Sequence, residues 1–215
     1  MLSAIKRAIF FAAHTDDEMI CAGTLHRLVK QGTDLRMVAF GSAAIESDRL
    51  GTKDSESVTT SEWINSCIVI GVEADRREFL RLRPSRDLHT YSSEIRQIIY
   101  TRCEQLKPDA VFTLSPEDEN PAHAVVGRET EAVTRGRVPI TIRCQFPWNY
   151  GLGRPNLYVR LSQEDAAVKR AVIRCYQSQE FRYKYEDMLM GYARADGLSV
   201  KAEHAEKFEL IRGVV

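Results

Sequence analysis

The stretch Arg7-Ala8-Ile9-Phe10-Phe11-Ala12-Ala13 runs without a break into His14-Thr15-Asp16-Asp17-Glu18, and this junction decides the fold. A short, continuous apolar run with two aromatics reads as a strand covered on both faces, the condition of a strand inside a parallel sheet. Beyond the polar turn, Met19 to Gln31 carries Leu25, Leu28 and Val29 at helical spacing, and Gly32 follows as a stop signal. The order is strand, polar turn, helix.

That order recurs outward along the chain. Leu35 to Phe40 reads as a strand, Ser55 to Ile70 as a helix closed by Gly71, and Phe79 to Leu82 as a short strand. Tyr91 to Leu106 places Ile95, Ile98, Ile99 and Cys103 on one helical face. Pro108-Asp109 then leads into the apolar strand Ala110 to Leu114, which again ends in polar residues. His123 to Thr134 reads as a helix, Ile140 to Phe146 and Leu157 to Leu161 as strands, and Gln163 to Arg182 as one long helix along Ala167, Val168, Ala171 and Val172. The charges from Arg182 to Asp187 read as solvated helix faces. Strands alternating with helices predict an α/β fold with a mostly parallel sheet. No linker or repeat interrupts residues 1–215, so a single domain is expected, and the Ser-, Asp- and Thr-rich stretch 41–60 is expected to be a mobile loop.

Composition narrows the function classes. A chain of 215 residues buries roughly 70% of the surface its unfolded form exposes, so it needs no disulfide or structural metal to fold. Thirty Lys plus Arg against thirty Asp plus Glu give zero formal charge, which removes the field that would gather nucleic acid. The longest early apolar run, Ala8 to Ala13, falls far short of the ~20 residues of a spanning helix, so no membrane span and a cytoplasmic location are expected. Cys21, Cys67, Cys103, Cys144 and Cys175 form no C-x-x-C pair and are expected as reduced, mostly buried thiols.

In open α/β sheets, ligands bind outside the carboxyl ends of the strands. Two such ends are rich in chemistry: His14, Asp16, Asp17 and Glu18 after the first strand, and Asp118, Asn120 and His123 after Ala110 to Leu114. His14, Asp17 and His123 can supply a His/carboxylate/His set, which leaves a coordination position open for water on Zn²⁺ as in catalytic sites. Such an ion lowers the pKa of its water from 15.7 to about 7, and Asp16, beside the proposed ligands, is expected to be the general base. Each residue also has a plainer explanation. Carboxylates ahead of a helix favour its dipole, and a histidine near a helix start commonly makes ordinary hydrogen bonds. The pairing of the two strand ends is what favours the metal. Arg86 and Trp148, with Asp118, are the candidate substrate contacts, because Arg binds anionic groups and sugars stack on aromatic faces. The histidines His26, His89 and His204 have no partner pattern and read as structural or solvated.

Ala13-His14-Thr15-Asp16-Asp17-Glu18 resembles the A-H-P-D-D-E signature of the LmbE-like, or PIG-L, family of zinc-dependent de-N-acetylases, and Asp118-Glu119-Asn120-Pro121-Ala122-His123 resembles its D-x-H-x-D-H signature. Further likenesses run from Glu62 to Gly71, at Phe146-Pro147-Trp148-Asn149, at Tyr176-Gln177-Ser178-Gln179 and at Ala205-Glu206-Lys207-Phe208, so the resemblance covers nearly the whole chain. It implies a Rossmann-like fold, His14, Asp17 and His123 as zinc ligands, Asp16 as base, and hydrolysis of an N-acetyl group on a small amino sugar or glycoconjugate. It also implies a homo-oligomer. Thr15 replaces the family's proline, which alters loop stiffness only. Asn120 and Ala122 replace a histidine that steadies the oxyanion and the aspartate paired with it. Losing one oxyanion donor typically costs about 10²–10³ in rate. Asn120 is expected to act as a substitute donor, with Arg86, His89 or a backbone N–H as other sources. A non-catalytic metal- or sugar-binding protein, and a hydrolase of another acyl or phosphoryl bond, are the alternatives.

Overall fold

A computed structural model describes residues 2–44, 55–83, 85–149, 153–180 and 184–214 of the chain. In chain order the elements are β1 (Arg7–Ala12), α1 (Ala22–Lys30), β2 (Asp34–Ala39), α2 (Ser55–Ile70), β3 (Arg77–Phe79), α3 (Ser92–Leu106), β4 (Ala110–Leu114), α4 (Pro121–Thr134), β5 (Ile140–Cys144), β6 (Leu157–Leu161), α5 (Gln163–Arg174), α6 (Tyr185–Ser199) and β7 (His204–Gly213). They build one seven-stranded sheet in the order β3-β2-β1-β4-β5-β7-β6. The first five strands are parallel, and β7 runs antiparallel to both β5 and β6.

The alternation along β1 explains why this strand lies in the middle. Ala8, Phe10 and Ala12 enter one apolar cluster with Leu25 and Leu28 of α1, whereas Ile9, Phe11 and Ala13 enter a second with Ile95 and Ile99 of α3 and Val125 and Val126 of α4. Phe10 pairs with Met37 on one side and Phe112 on the other. Phe10, Phe11 and Phe112 are fully buried, each contributing about 1.5–3 kcal/mol of transfer free energy. A strand apolar on both faces is stable only between two helical layers, as the sequence predicts.

Between β1 and β4 the strand order reverses, because the chain leaves β1 toward β2 while β4 lies on the opposite side. A crevice therefore opens at the carboxyl ends of these two strands. Gly127 sets how closely α4 approaches it. A Cβ there would lie 2.5 Å from the carbonyl oxygen of Leu114, so only glycine lets the helix close onto the end of β4. The start of α4 is fixed by Asn120, whose side chain accepts a hydrogen bond from the N–H of Ala122, with Pro121 in the first turn.

Several sequence expectations are corrected. The helix expected over Gln163–Arg182 stops at Arg174, and a short turn over Gln177–Gln179 follows. It stops because Tyr176 is drawn inward to the carboxylate of Glu18, while Ser178 donates to Glu62 at 2.6 Å. Residues 181–183 lie outside the described residues. Tyr185, within the stretch read as solvated charges, is only 5% exposed and opens α6. Neither the extent of α6 nor the strand β7 was expected. Met19–Gln31 is not one helix, since Asp17–Ile20 forms a tight turn of its own before α1. β3 spans Arg77–Phe79 rather than Phe79–Leu82, and β5 ends at Cys144 rather than Phe146. Within 41–60, residues 45–54 lie outside the described residues. The flanks do not form a mobile loop: Ser42 is buried against Thr59, and Ser55 already belongs to α2. All five cysteines are free, four of them buried.

Candidate metal centre

The turn after β1 and the first turn of α4 meet in the crevice. His14 Nδ1 lies 3.2 Å from His123 Nε2, and Asp17 Oδ1 lies 3.2 Å from the same nitrogen and 3.9 Å from His14 Nδ1. One ligand atom from each of His14, Asp17 and His123 falls within 4.8 Å of the others. Asp17 and His123 are buried, and His14 is half-buried. The backbone N–H of His14 donates to Asp17 Oδ2 at 2.8 Å, which turns the other carboxylate oxygen toward the imidazoles.

The second ligand is held from behind. His123 Nδ1 donates to Asp118 Oδ2 at 3.0 Å, which fixes Nε2 as the atom facing Asp17 and His14. Asp118 was expected among the substrate contacts, but its carboxylate is committed elsewhere. Oδ1 accepts from the N–H of Asn120 at 2.8 Å, and Oδ2 accepts from Asn149 Nδ2 at 2.7 Å as well as from His123. Phe146 stacks on the His123 ring at 5.2 Å, and Trp148 stacks on Phe146 at 4.3 Å. Burial by itself would lower the His123 imidazole, but Asp17 and Asp118 raise it to about 10. Burial would likewise raise the Asp17 carboxyl, yet His123 and His14 hold it below the usual range. The field that favours a proton on Nε2 of His123 also favours a cation in its place. Two imidazole nitrogens and a carboxylate oxygen, with a carboxylate behind one imidazole, fit a divalent cation of the zinc type.

The remaining motif residues divide sharply. Asp16 is 7% exposed, caps nothing with its side chain, and sits in the chain between His14 and Asp17. Glu18 is fully buried and points away, accepting from Ser66 and Tyr176. Burial pushes its carboxyl up to about 8. Thr15 does more than alter stiffness: its buried hydroxyl accepts from the N–H of Ala43 at 3.0 Å and ties the turn to the segment after β2. Asn120 uses its carbonyl oxygen as the α4 cap, so only its amide nitrogen is left to donate. Ala122, where the family carries an aspartate, packs within the second apolar cluster. The backbone of Arg86 lies in the turn Ser85–Tyr91, and its side chain lies outside the described residues. Trp148 is half-buried beside the centre. Of the other histidines, His26 contacts the carbonyl of Ile70, His89 is exposed and His204 is half-buried.

Sequence reasoning missed the supports. Lys169 Nζ, 2% exposed, donates to the carbonyls of Met19 and Ile20 and to Glu206, closing the turn that presents Asp17. Glu206 in turn accepts from the N–H groups of Gly23 and Thr24 at the start of α1. The A-E-x-F likeness marked Glu206, but only folding shows what its carboxylate holds.

Residues 9–134 match the family model PIG-L, described as GlcNAc-PI de-N-acetylase. The chain belongs to that family. Among solved structures, it is similar to the conserved protein TT1542 from Thermus thermophilus, with a TM-score of 0.80 and 21% identity over 97% of this chain and 96% of that one. It is also similar to the N,N'-diacetylchitobiose deacetylase from Pyrococcus horikoshii, with a TM-score of 0.72 and 19% identity over 99% of this chain and 86% of that one. A third likeness is to GalB, the 4-carboxy-2-hydroxymuconate hydratase from Pseudomonas putida, with a TM-score of 0.80 and 17% identity over 98% of each chain. These identities carry the LmbE-like fold, and the differing activities of the last two show that fold and reaction are separable. No curated protein matches the chain in sequence. Among the described residues, no helix is long and apolar enough to cross a membrane.

Proposed function

We propose that this protein is a metal-dependent hydrolase that removes the acetyl group from an N-acetylated amino sugar or glycoconjugate. The observation that carries this is the convergence of His14, Asp17 and His123, with Asp118 behind His123. These three residues would hold Zn²⁺. The chemistry such an ion supplies is Lewis acidity toward the acetamide carbonyl and activation of water near neutral pH.

The chain's own residues do the rest. Asp16 takes the proton from the attacking water and returns it to the nitrogen of the departing amine. Asp118 keeps His123 in one tautomer and orientation throughout. The amide nitrogen of Asn120 donates to the developing oxyanion, a weaker contribution than the charged histidine usual in this family, and Ala122 supplies no partner to strengthen it. Trp148 offers an aromatic surface to the sugar, and Arg86 a cation to its polar substituents.

The test measures bound metal and acetate release from a panel of N-acetylated amino sugars, with wild type and Asp16→Ala side by side. Wild type should carry about one zinc per chain and release acetate. Asp16→Ala should keep the metal and lose about 10²–10⁴ of kcat. Zinc without acetate release from any sugar would replace the hydrolase with a binding protein. Full activity in Asp16→Ala would remove the assigned base.

A further inference from the structure

Three residues that follow β5 converge on one imidazole. The ring centroid of Phe146 lies 5.2 Å from that of His123 with the planes 25° apart, that of Trp148 lies 6.4 Å away, and Asn149 reaches the ring through Asp118. The aromatic faces limit how far the imidazole can tilt. They cannot choose which nitrogen carries the proton, nor stop the ring from turning in its own plane. Those two tasks fall to Asp118 Oδ2, which His123 Nδ1 meets at 3.0 Å.

The Asp118 carboxylate can itself rotate, so it needs holding at both oxygens. Oδ1 is held from within its own loop by the N–H of Asn120 at 2.8 Å. Oδ2 receives His123 on one side and Asn149 Nδ2, at 2.7 Å, on the other. Without Asn149, the hydrogen bond left on Oδ2 among the described residues would come from the imidazole that it has to orient. The Asn149 amide has one consistent orientation. Its Oδ1 accepts at 3.2 Å from the backbone N–H of Glu119, a group that can only donate, and its nitrogen faces a carboxylate oxygen that accepts. Asn149 is 3% exposed, and its own N–H donates to the carbonyl of Phe146 at 3.1 Å, which closes the turn that carries it. One side chain thus ties the loop after β5 to the loop after β4 and braces the group behind His123.

We propose that Asn149 is a positioning residue: its amide fixes the Asp118 carboxylate and, through it, the tautomer and orientation of the His123 ring. The consequence for metal affinity rests on the metal-dependent reading of the site, whereas the hydrogen bonds themselves need no ion. The role demands a donor and an acceptor at the two ends of one short side chain. Leucine, of similar size, offers neither, and alanine reaches neither partner.

Two measurements on Asn149→Leu test this, one without metal and one with it. In metal-free protein labelled with ¹⁵N-histidine, wild type should show a slowly exchanging imidazole N–H signal from Nδ1 of His123. In Asn149→Leu that proton should exchange at least tenfold faster while far-UV circular dichroism stays native. In a competition titration with a chelator, Asn149→Leu should weaken zinc affinity about tenfold. In an Asp118→Ala background the same substitution should cost no more than about twofold further, because Asn149 then has no carboxylate to hold. A lower melting temperature with the N–H signal unchanged would assign Asn149 to packing alone and overturn the proposal, as would zinc losses that simply add in the double variant. If Asn149→Leu does not fold, Asn149→Ala is read by the same two measurements, with the same outcomes. Wild type that binds no zinc, with the N–H signal still lost in Asn149→Leu, refutes the metal-dependent reading and leaves the positioning role standing. Zinc bound equally by wild type and a folded Asn149→Leu does the reverse.

Discussion

The parallel half of the sheet and the C-terminal third of the chain contribute opposite things to the same centre. Every proposed ligand and the proposed base lie between His14 and His123, within the span that matches the family. Several of the buried charged and hydroxyl groups that brace the first ligand turn come from later: Lys169, Tyr176 and Glu206. Chemistry is concentrated in two loops, whereas support for the first loop is drawn from α5, the turn after it and β7. Loops that carry ligands have few backbone partners of their own, so something rigid must close them. Here a lysine, a phenol and a carboxylate do so from beneath.

The sharpest way to break the comparison is to remove a ligand and ask whether the support alone holds metal. Asp17→Ala should lose the metal and essentially all turnover while far-UV circular dichroism stays native, as read by zinc content and acetate release. Next in size is the brace itself. Lys169→Met leaves the Glu206 carboxylate buried without its cation and should destabilise the protein by about 3–5 kcal/mol in urea unfolding. The double variant Lys169→Met/Glu206→Gln should recover part of that loss, and no recovery would show that the lysine acts mainly through the Met19 and Ile20 carbonyls.

Smaller effects sharpen the boundary between the regions. Asp118→Asn should weaken zinc affinity about 10–100-fold, because it removes the carboxylate charge behind His123. A competition titration with a chelator measures this. The smallest effect belongs to Asp196, which faces Lys207, Lys169 and Glu206. Burial raises its carboxyl above the ordinary value despite the two lysines. A raised folded-state pKa contributes stability at low pH that is lost as pH rises through it. Asp196→Asn should therefore gain melting temperature relative to wild type on going from pH 4 to pH 7, and a constant difference would place no ionisation cost at this position.

Much of the fold was legible because β1 and β4 carry the pattern of doubly covered strands and both end in polar clusters. The convergence of His14, Asp17 and His123 was legible for the same reason, since strand order in a parallel sheet brings two such ends to one crevice. The overlong helix at Gln163–Arg182 was not corrected by pattern, because the event that ends it is a contact between Tyr176 and Glu18, some 158 positions apart. β7 was missed although Phe208 and Leu210 alternate with Lys207, Glu209 and Ile211. The charges of Lys207 and Glu209 weaken a strand signal, as does Glu206 on the inward face, which is buried only because Lys169 and the start of α1 receive it. Thr15 looked like a neutral replacement, since nothing local shows that Ala43 lies within reach of its hydroxyl.

By itself, then, the sequence determined a parallel α/β scaffold and the residue types gathered at two strand ends, because periodicity and strand-end chemistry are local properties that a linear chain displays. Tertiary structure alone decided that Asp118 hydrogen-bonds His123, that Glu18 turns away from its neighbours Asp16 and Asp17, and that a lysine and a glutamate from the last third hold the first loop. Each of those outcomes depends on which buried partner a charged group meets. A polar side chain taken out of water accepts whichever partner the packing of distant elements brings to it.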